Sequence, residues 1–222
     1  MELVVATLSE RIFTVIRDRI ARGEIEPGEP ISQSGFAREF GVSRIPLREA
    51  LFRLEQEGLL ASEANKGFFL PQLSAVEAEE IFALRLKIEP DAIGRAAEVA
   101  GPADHAAVRQ ALSALAEAVV ARSRAITTFS RAFHLALVQP GSTRITIRMV
   151  ERLHVLSARY VRKHLEPVGR AQRMLTAHRK LATAWLAGDG DRAAACAREC
   201  LVDTLDGFRR QFVHESEAAD AA

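Results

Sequence analysis

Between Phe40 and Ser43 the chain has only Gly41 and Val42 in which to finish one helix and begin another. Upstream, SQSGFAREFG reads as a short helix capped by Ser32 or Ser34, with Phe36 and Phe40 facing inward and Gly41 as terminator. Downstream, Ser43 stands at an N-cap position and Pro46 falls in the first turn, where a missing N–H costs little. Leu47, Leu51 and Leu54 then form a buried stripe that stops before Gly58. Two helices joined by so short a glycine turn have helix-turn-helix geometry. A further helix precedes them: Leu8, Ile12, Ile16 and Ile20 recur four apart, Thr7 with Glu10 fits a capping box, and Gly23 can end the run before the turn chemistry of EIEPGEP. After the pair, two short apolar runs flank Asn65-Lys66-Gly67, which predicts a small β-hairpin wing.

Pro71 and Ser74 mark a break, and we place the domain boundary near residue 73. From there to about 213 the sequence is rich in Ala, Leu and Arg at helical period. It is punctuated by Pro90, Gly101-Pro102, Pro140-Gly141, Pro167 to Gly169 and Gly188 to Gly190, which predicts about six helices and no strand. Residues 214–222 are expected to be a disordered tail. The expected fold is thus mainly α: a winged helix-turn-helix over 1–72 and an all-α helical bundle over 73–213.

With 222 residues the chain has room for one large or two small domains, and 30 basic against 29 acidic residues leave no overall field toward nucleic acid or membrane. Within the first 72 residues, nine basic side chains face eleven acidic ones. Any specific DNA binding there must therefore rest on a local arginine cluster, helix N-termini and dimerisation. Two cysteines make no disulfide framework, the start lacks a basic and apolar leader, and no long uncharged apolar run occurs. The expected location is cytoplasmic, with no membrane partner.

Arg44 and Arg48 lie one turn apart on the side of the third helix opposite the leucines. Arginine forks match the O6 and N7 acceptors of guanine, and recognition helices present their N-terminal residues to base edges. The order GVSR-x-P-x-REAL-x-RLE-x-EGL, with its leading helix and glycine-containing wing, resembles the GntR family of bacterial transcription regulators over residues 7–70. The resemblance implies that Ser43, Arg44 and Arg48 contact phosphate and bases, and that Lys66 and Gly67 approach the minor groove. Two positions depart from the family: Ile45 stands where Thr is usual, and Gly35 where an acidic residue is usual. Ile45 cannot donate to a phosphate, so affinity or site preference is expected to differ.

In the second half, Arg85 and Glu89 four apart, Phe133-His134, and AHRKLATAWLAGDGDRAAACAREC together resemble the FCD effector domain of the FadR branch of that family. The resemblance implies a helical bundle holding a divalent metal through an Asp and three His, beside a small carboxylate effector. Its ligand pattern falls on Ser130, His134, His178 and Cys200, so the usual residue is kept at His134 and His178 only. His178 and Cys200 are each eleven residues from Asp189, which would bring them level on an antiparallel helix pair. A serine hydroxyl is a poor ligand, whereas a cysteine thiolate favours zinc. The competing reading makes the histidines satisfied core residues and Cys200 a small buried hydrophobe. Arg85 is expected to meet the effector carboxylate, against the alternative of a salt bridge to Glu89. His105, His154, His164 and His214 fit no pattern and are expected to be structural or solvated.

The sequence thus points to a homodimeric repressor that binds a palindromic operator and is released by a small carboxylate, not to an enzyme. A metal-dependent hydrolase built on His134, His178 and Cys200 lacks a matched general base, and neither HExxH nor a nucleophile elbow occurs. A thiol-based redox sensor rests on Cys196 and Cys200 being one helical turn apart.

Overall fold

Thr7 opens the first helix as its cap: its Oγ1 accepts from the N–H of Glu10 at 3.2 Å, and the Glu10 carboxylate accepts from the N–H of Thr7 at 2.8 Å. The computed structural model describes the backbone of residues 7–220 and the side chains of residues 7–212. Contacts divide the chain into two units, 1–72 and 73–222.

In the first unit, α1 (Leu8–Arg22) buries Ile12, Phe13, Ile16 and Ile20, while Leu8, expected on the same stripe, stays exposed one turn outside the core. Gly23 ends α1 in the left-handed conformation. Helix α2 (Gln33–Phe40) is capped by Ser32 and closed by left-handed Gly41. Helix α3 (Arg44–Gln56) follows at once and buries Leu47, Ala50, Leu51 and Leu54. Phe36 and Phe40 do not reach the core. They meet edge to face at 5.5 Å under the guanidinium of Arg19, because the eight-residue α2 has no fully buried position. The wing is an antiparallel hairpin of β1 (Ala61–Glu63) and β2 (Gly67–Phe69), with Ala61 opposite Phe69. Asn65 and Gly67 adopt the positive φ its tight turn needs. The segment after α1 lines the hairpin: Gly28 and Ile31 donate backbone bonds to the carbonyls of Leu70 and Phe68, both at 2.7 Å.

The second unit is α4 (Ala75–Val99), α5 (Pro102–Val120), α6 (Ile126–Val138), α7 (Arg144–Leu165), α8 (Arg170–Leu186) and α9 (Gly190–Asp220), with no strand among the described residues. Two expectations are corrected here. Pro90 does not interrupt the chain but lies inside α4, where burial of Ile81, Phe82, Ile93 and Ala96 on either side outweighs one missing N–H. Residues 214–220, expected as a disordered tail, continue α9, since no Pro or Gly follows Gly207 to stop it; residues 221–222 lie outside the described residues. The core gathers around Trp185, whose Nε1 donates to the carbonyl of Leu137 at 3.1 Å, with a second cluster of Phe82, Tyr160 and Phe208.

Helices α4 and α9 approach closely where glycine faces glycine. A Cβ on Gly94 would fall 2.9 Å from the carbonyl oxygen of Gly190, and one on Gly190 would fall 2.8 Å from that of Gly94. Replacing Gly94 with Leu should therefore force the helices apart and cost at least about 1–3 kcal/mol, despite the gain in helix propensity. Leu at the exposed neighbour Arg95 should change stability by less than about 0.5 kcal/mol. Urea denaturation of the two variants measures the contrast, and equal midpoints would refute the close crossing.

Candidate functional site

The exposed side of α3 carries the residues singled out for nucleic acid. Ser43, Arg44 and Arg48 are all exposed, opposite leucines with no exposure at all. Thr7, Ser32, Ser74 and Thr143 each cap their helix through the side-chain oxygen, but the Ser43 side chain makes no cap bond, and the first turn of α3 holds no acidic residue. The N-terminus of α3 thus keeps its positive end and the Ser43 hydroxyl available for an anion. Arg44 has no ion pair or hydrogen bond among the described residues. Arg48 lies 5.3 Å over the Phe52 ring, which is itself packed edge to face on Phe68 at 5.0 Å. At the wing, Lys66 sits in the exposed turn, 4.2 Å over the Phe69 ring and 3.7 Å from the Glu63 carboxylate, with Gly67 beside it. Lys66 therefore offers its charge less freely than Arg44.

The second unit encloses a cavity of about 230 Å³ bounded by α4, α6, α7, α8 and α9, with Arg85, Ser130, His134, His154, His178 and Cys200 among its lining. Behind the lining residues Arg85, His134 and His154 lies Glu89, which has no solvent exposure. Arg85, one turn earlier on α4, donates from Nε to one carboxylate oxygen and from Nη2 to the other at 3.1 Å; its Nη1 donates to the Ser157 hydroxyl at 2.9 Å. His154 from α7 places Nε2 3.1 Å from Glu89, and His134 from α6 places Nδ1 3.6 Å away. Burial alone would raise the Glu89 carboxyl, but Arg85 and His154 more than reverse this and hold it well below the usual carboxylate range.

The expected salt-bridge alternative for Arg85 is therefore present, in the cavity wall. Ser130, His134 and His178 also meet: the Nε2 atoms of the two histidines are 3.1 Å apart, and the Ser130 hydroxyl is 3.4 Å from that of His178. His178 donates from Nδ1 to the carbonyl of Met174 at 2.9 Å, which leaves Nε2 as its acceptor. Cys200 lines the cavity without joining them. Among the described residues, the group of three metal-competent side chains with ligand atoms all within 4.8 Å of one another is Glu89, His134 and His154, not His134, His178 and Cys200. Burial also pushes the free Cys200 thiol up to about 12, which argues against a reactive thiolate sensor.

Glu89 was expected only as a partner for Arg85, and His154 as structural or solvated; neither was expected in a metal-competent group. His154 is indeed buried, on the stripe of α7 shared by Val150, Ser157 and Tyr160. An imidazole on an apolar stripe was the signal available. His164, also on that stripe, lines the cavity, whereas His105 packs edge to face on Trp185 at 5.7 Å. The side chain of His214 lies outside the described residues.

Residues 8–70 match the family described as bacterial regulatory proteins of the gntR family, and residues 80–203 match the FCD domain. The chain is 30% identical over 200 residues to the HTH-type transcriptional repressor GlaR of Escherichia coli, covering 86% of this chain and 90% of that one. It is 28% identical over 175 residues to the uncharacterized HTH-type transcriptional regulator YdhC of Bacillus subtilis, covering 77% of each. In fold it is similar to E. coli McbR/YncC, with a TM-score of 0.83 at 23% identity over 94% of this chain and 100% of that one.

The buried histidines have a consequence for stability. Burial holds His134 well below 6.5, lowers His154, and brings His178 and His164 down to about 4. In the unfolded chain each takes a proton below about 6.5, while the native state resists protonation until much lower pH. Stability should therefore be full above 6.5 and fall as pH drops toward 4, by up to about 1.4 kcal/mol per pH unit for each such histidine. Urea unfolding from pH 7.5 to 4.5 should show this slope, reduced by about one proton in His178→Gln. A flat profile would mean that the histidines are not buried as neutral groups.

Proposed function

The chain belongs to the GntR family of bacterial regulatory proteins and carries an FCD domain, and on that premise we propose that it is a homodimeric repressor whose operator binding is controlled by a small molecule in the helical cavity. It is a DNA-binding transcriptional regulator and not an enzyme. The observation that carries the proposal is the end of α3, where an uncapped, acid-free helix start presents Ser43, Arg44 and Arg48 together. Phosphate suits the first, and base edges suit the arginines. Since the first unit has no excess of basic residues, one half-site gives little affinity, and pairing two units on a palindrome supplies the rest. Repression is supported by the name of the relative GlaR. No helix among the described residues is long and apolar enough to cross a membrane, which agrees with action on cytoplasmic DNA.

For the effector, the resemblance suggests a small carboxylate held by Arg85. Glu89 already occupies Nε and Nη2 of that guanidinium, so a carboxylate would meet it through Nη1, beside the Ser157 hydroxyl. A zinc site is less well supported. The convergent group is Glu89, His134 and His154, with His178 beside His134, but both oxygens of Glu89 already accept from Arg85, one of them also lies against His154, and Cys200 stands apart. With its carboxylate so engaged, we read the effector response as metal-independent.

Fluorescence anisotropy on an operator enriched from random DNA tests the first part. Arg44→Ala or Arg48→Ala should each weaken binding by about 1–3 kcal/mol, while Ala at the exposed Arg109 should have no effect. Footprinting should show two halves about one helical turn apart or a multiple of it; an unrepeated site with a monomer in sedimentation would overturn the dimer. Elemental analysis of untagged protein should find no stoichiometric metal, and chelation should leave operator affinity unchanged. Stoichiometric zinc that disappears in His178→Ala would reverse the metal reading.

A further inference from the structure

Ile45 is an aliphatic residue of α3 that contributes nothing to the core. It is 71% exposed, although the Leu47, Leu51 and Leu54 side chains of the same helix are fully buried. It is β-branched, which disfavours helix, and it precedes Pro46, which biases a residue away from helical backbone. A polar residue there would satisfy the local preferences better, so the fold gains nothing from isoleucine at this position. Its place on the helix is informative. Arg48 is three residues on and Phe52 seven on, so the three share one exposed face, with Arg48 seated on the Phe52 ring. Arg44 immediately precedes it, one turn before Arg48 and on the same flank. An apolar side chain beside two arginines is poorly placed to meet a second copy of this chain, which would bring four like charges together. It is well placed against a polyanion whose surface carries isolated apolar points.

The major groove of DNA has one such point, the C5-methyl group of thymine. We propose that Ile45 reads a thymine methyl in each operator half-site, next to the base contacts of Arg44 and Arg48. This rests on the DNA-binding reading above and adds to it a base preference.

The test begins with DNA enriched from a random pool by the wild-type protein. That operator is then resynthesised with 2′-deoxyuridine in place of thymidine at one position at a time, which removes the methyl and leaves the pairing and hydrogen-bonding edges intact. One position per half-site should bind about fourfold more weakly, the value of one buried methyl group converted to affinity. In Ile45→Ala, which improves helix propensity and should fold normally, thymidine and 2′-deoxyuridine should bind alike at that position, and Ile45→Val should restore part of the difference. If wild-type protein binds all the uridine operators as well as the parent, the inference fails while DNA binding stands. It fails equally if Ile45→Ala keeps the wild-type discrimination, since another group would then be reading the methyl. If no sequence is enriched at all, the DNA-binding reading itself is lost.

Discussion

A carboxylate with no exposure to water is the constraint around which the second unit is arranged. Glu89 is tolerable only because Arg85 neutralises it from the previous turn of α4 and His154 reaches it from α7, with His134 of α6 close by. One charge thereby fixes the mutual placement of three helices, and losing a single partner of such a pair costs on the order of 3–5 kcal/mol. The same demand shapes the surroundings. Burial first, and the neighbouring cations second, disfavour a charged imidazole here and hold His134 and His154 below the ordinary histidine range. The wall that results offers hydrogen-bonding groups at Ser130, Ser157 and the histidines, with Arg85 already committed to Glu89.

The first unit solves the opposite problem. Its leucines are sealed on one side of α3, and the other side begins with Arg44 and an uncapped N-terminus that no side chain of the unit pairs among the described residues. Formal acidity of the unit as a whole is no obstacle, because its acidic groups are taken up locally: Glu39 pairs with Arg19, Glu24 with Arg22 and Glu57 with Arg53. The arginine at the tip of α3 is spared such pairing, so the polarity of the unit lies in its arrangement and not in its net charge.

This division also explains what could be read from the chain. Signals carried by a few adjacent residues were legible: the Thr7–Glu10 capping box, the left-handed stops at Gly23 and Gly41, and the hairpin turn at Asn65 to Gly67. Pro90 was misleading because its local cost is offset by packing far along the sequence. The cavity was legible in part. His134 and His178 face each other as their spacing suggested, but Cys200, level with His178 by residue count, does not join them, since distance along an antiparallel pair says nothing of rotation about the helix axis. His154 escaped notice for the complementary reason: its importance comes from Glu89, which is 65 positions away in sequence.

The facing glycines at 94 and 190 set how closely α9 can lie against α4, and Cys196 and Cys200 lie about two and three turns further along α9, on the cavity wall. Side-chain size at 94 and 190 would therefore bear on cavity width. Relatives with larger residues at either should hold their helices further apart and accommodate bulkier molecules, so that ligand size is partly written at a site the ligand never touches.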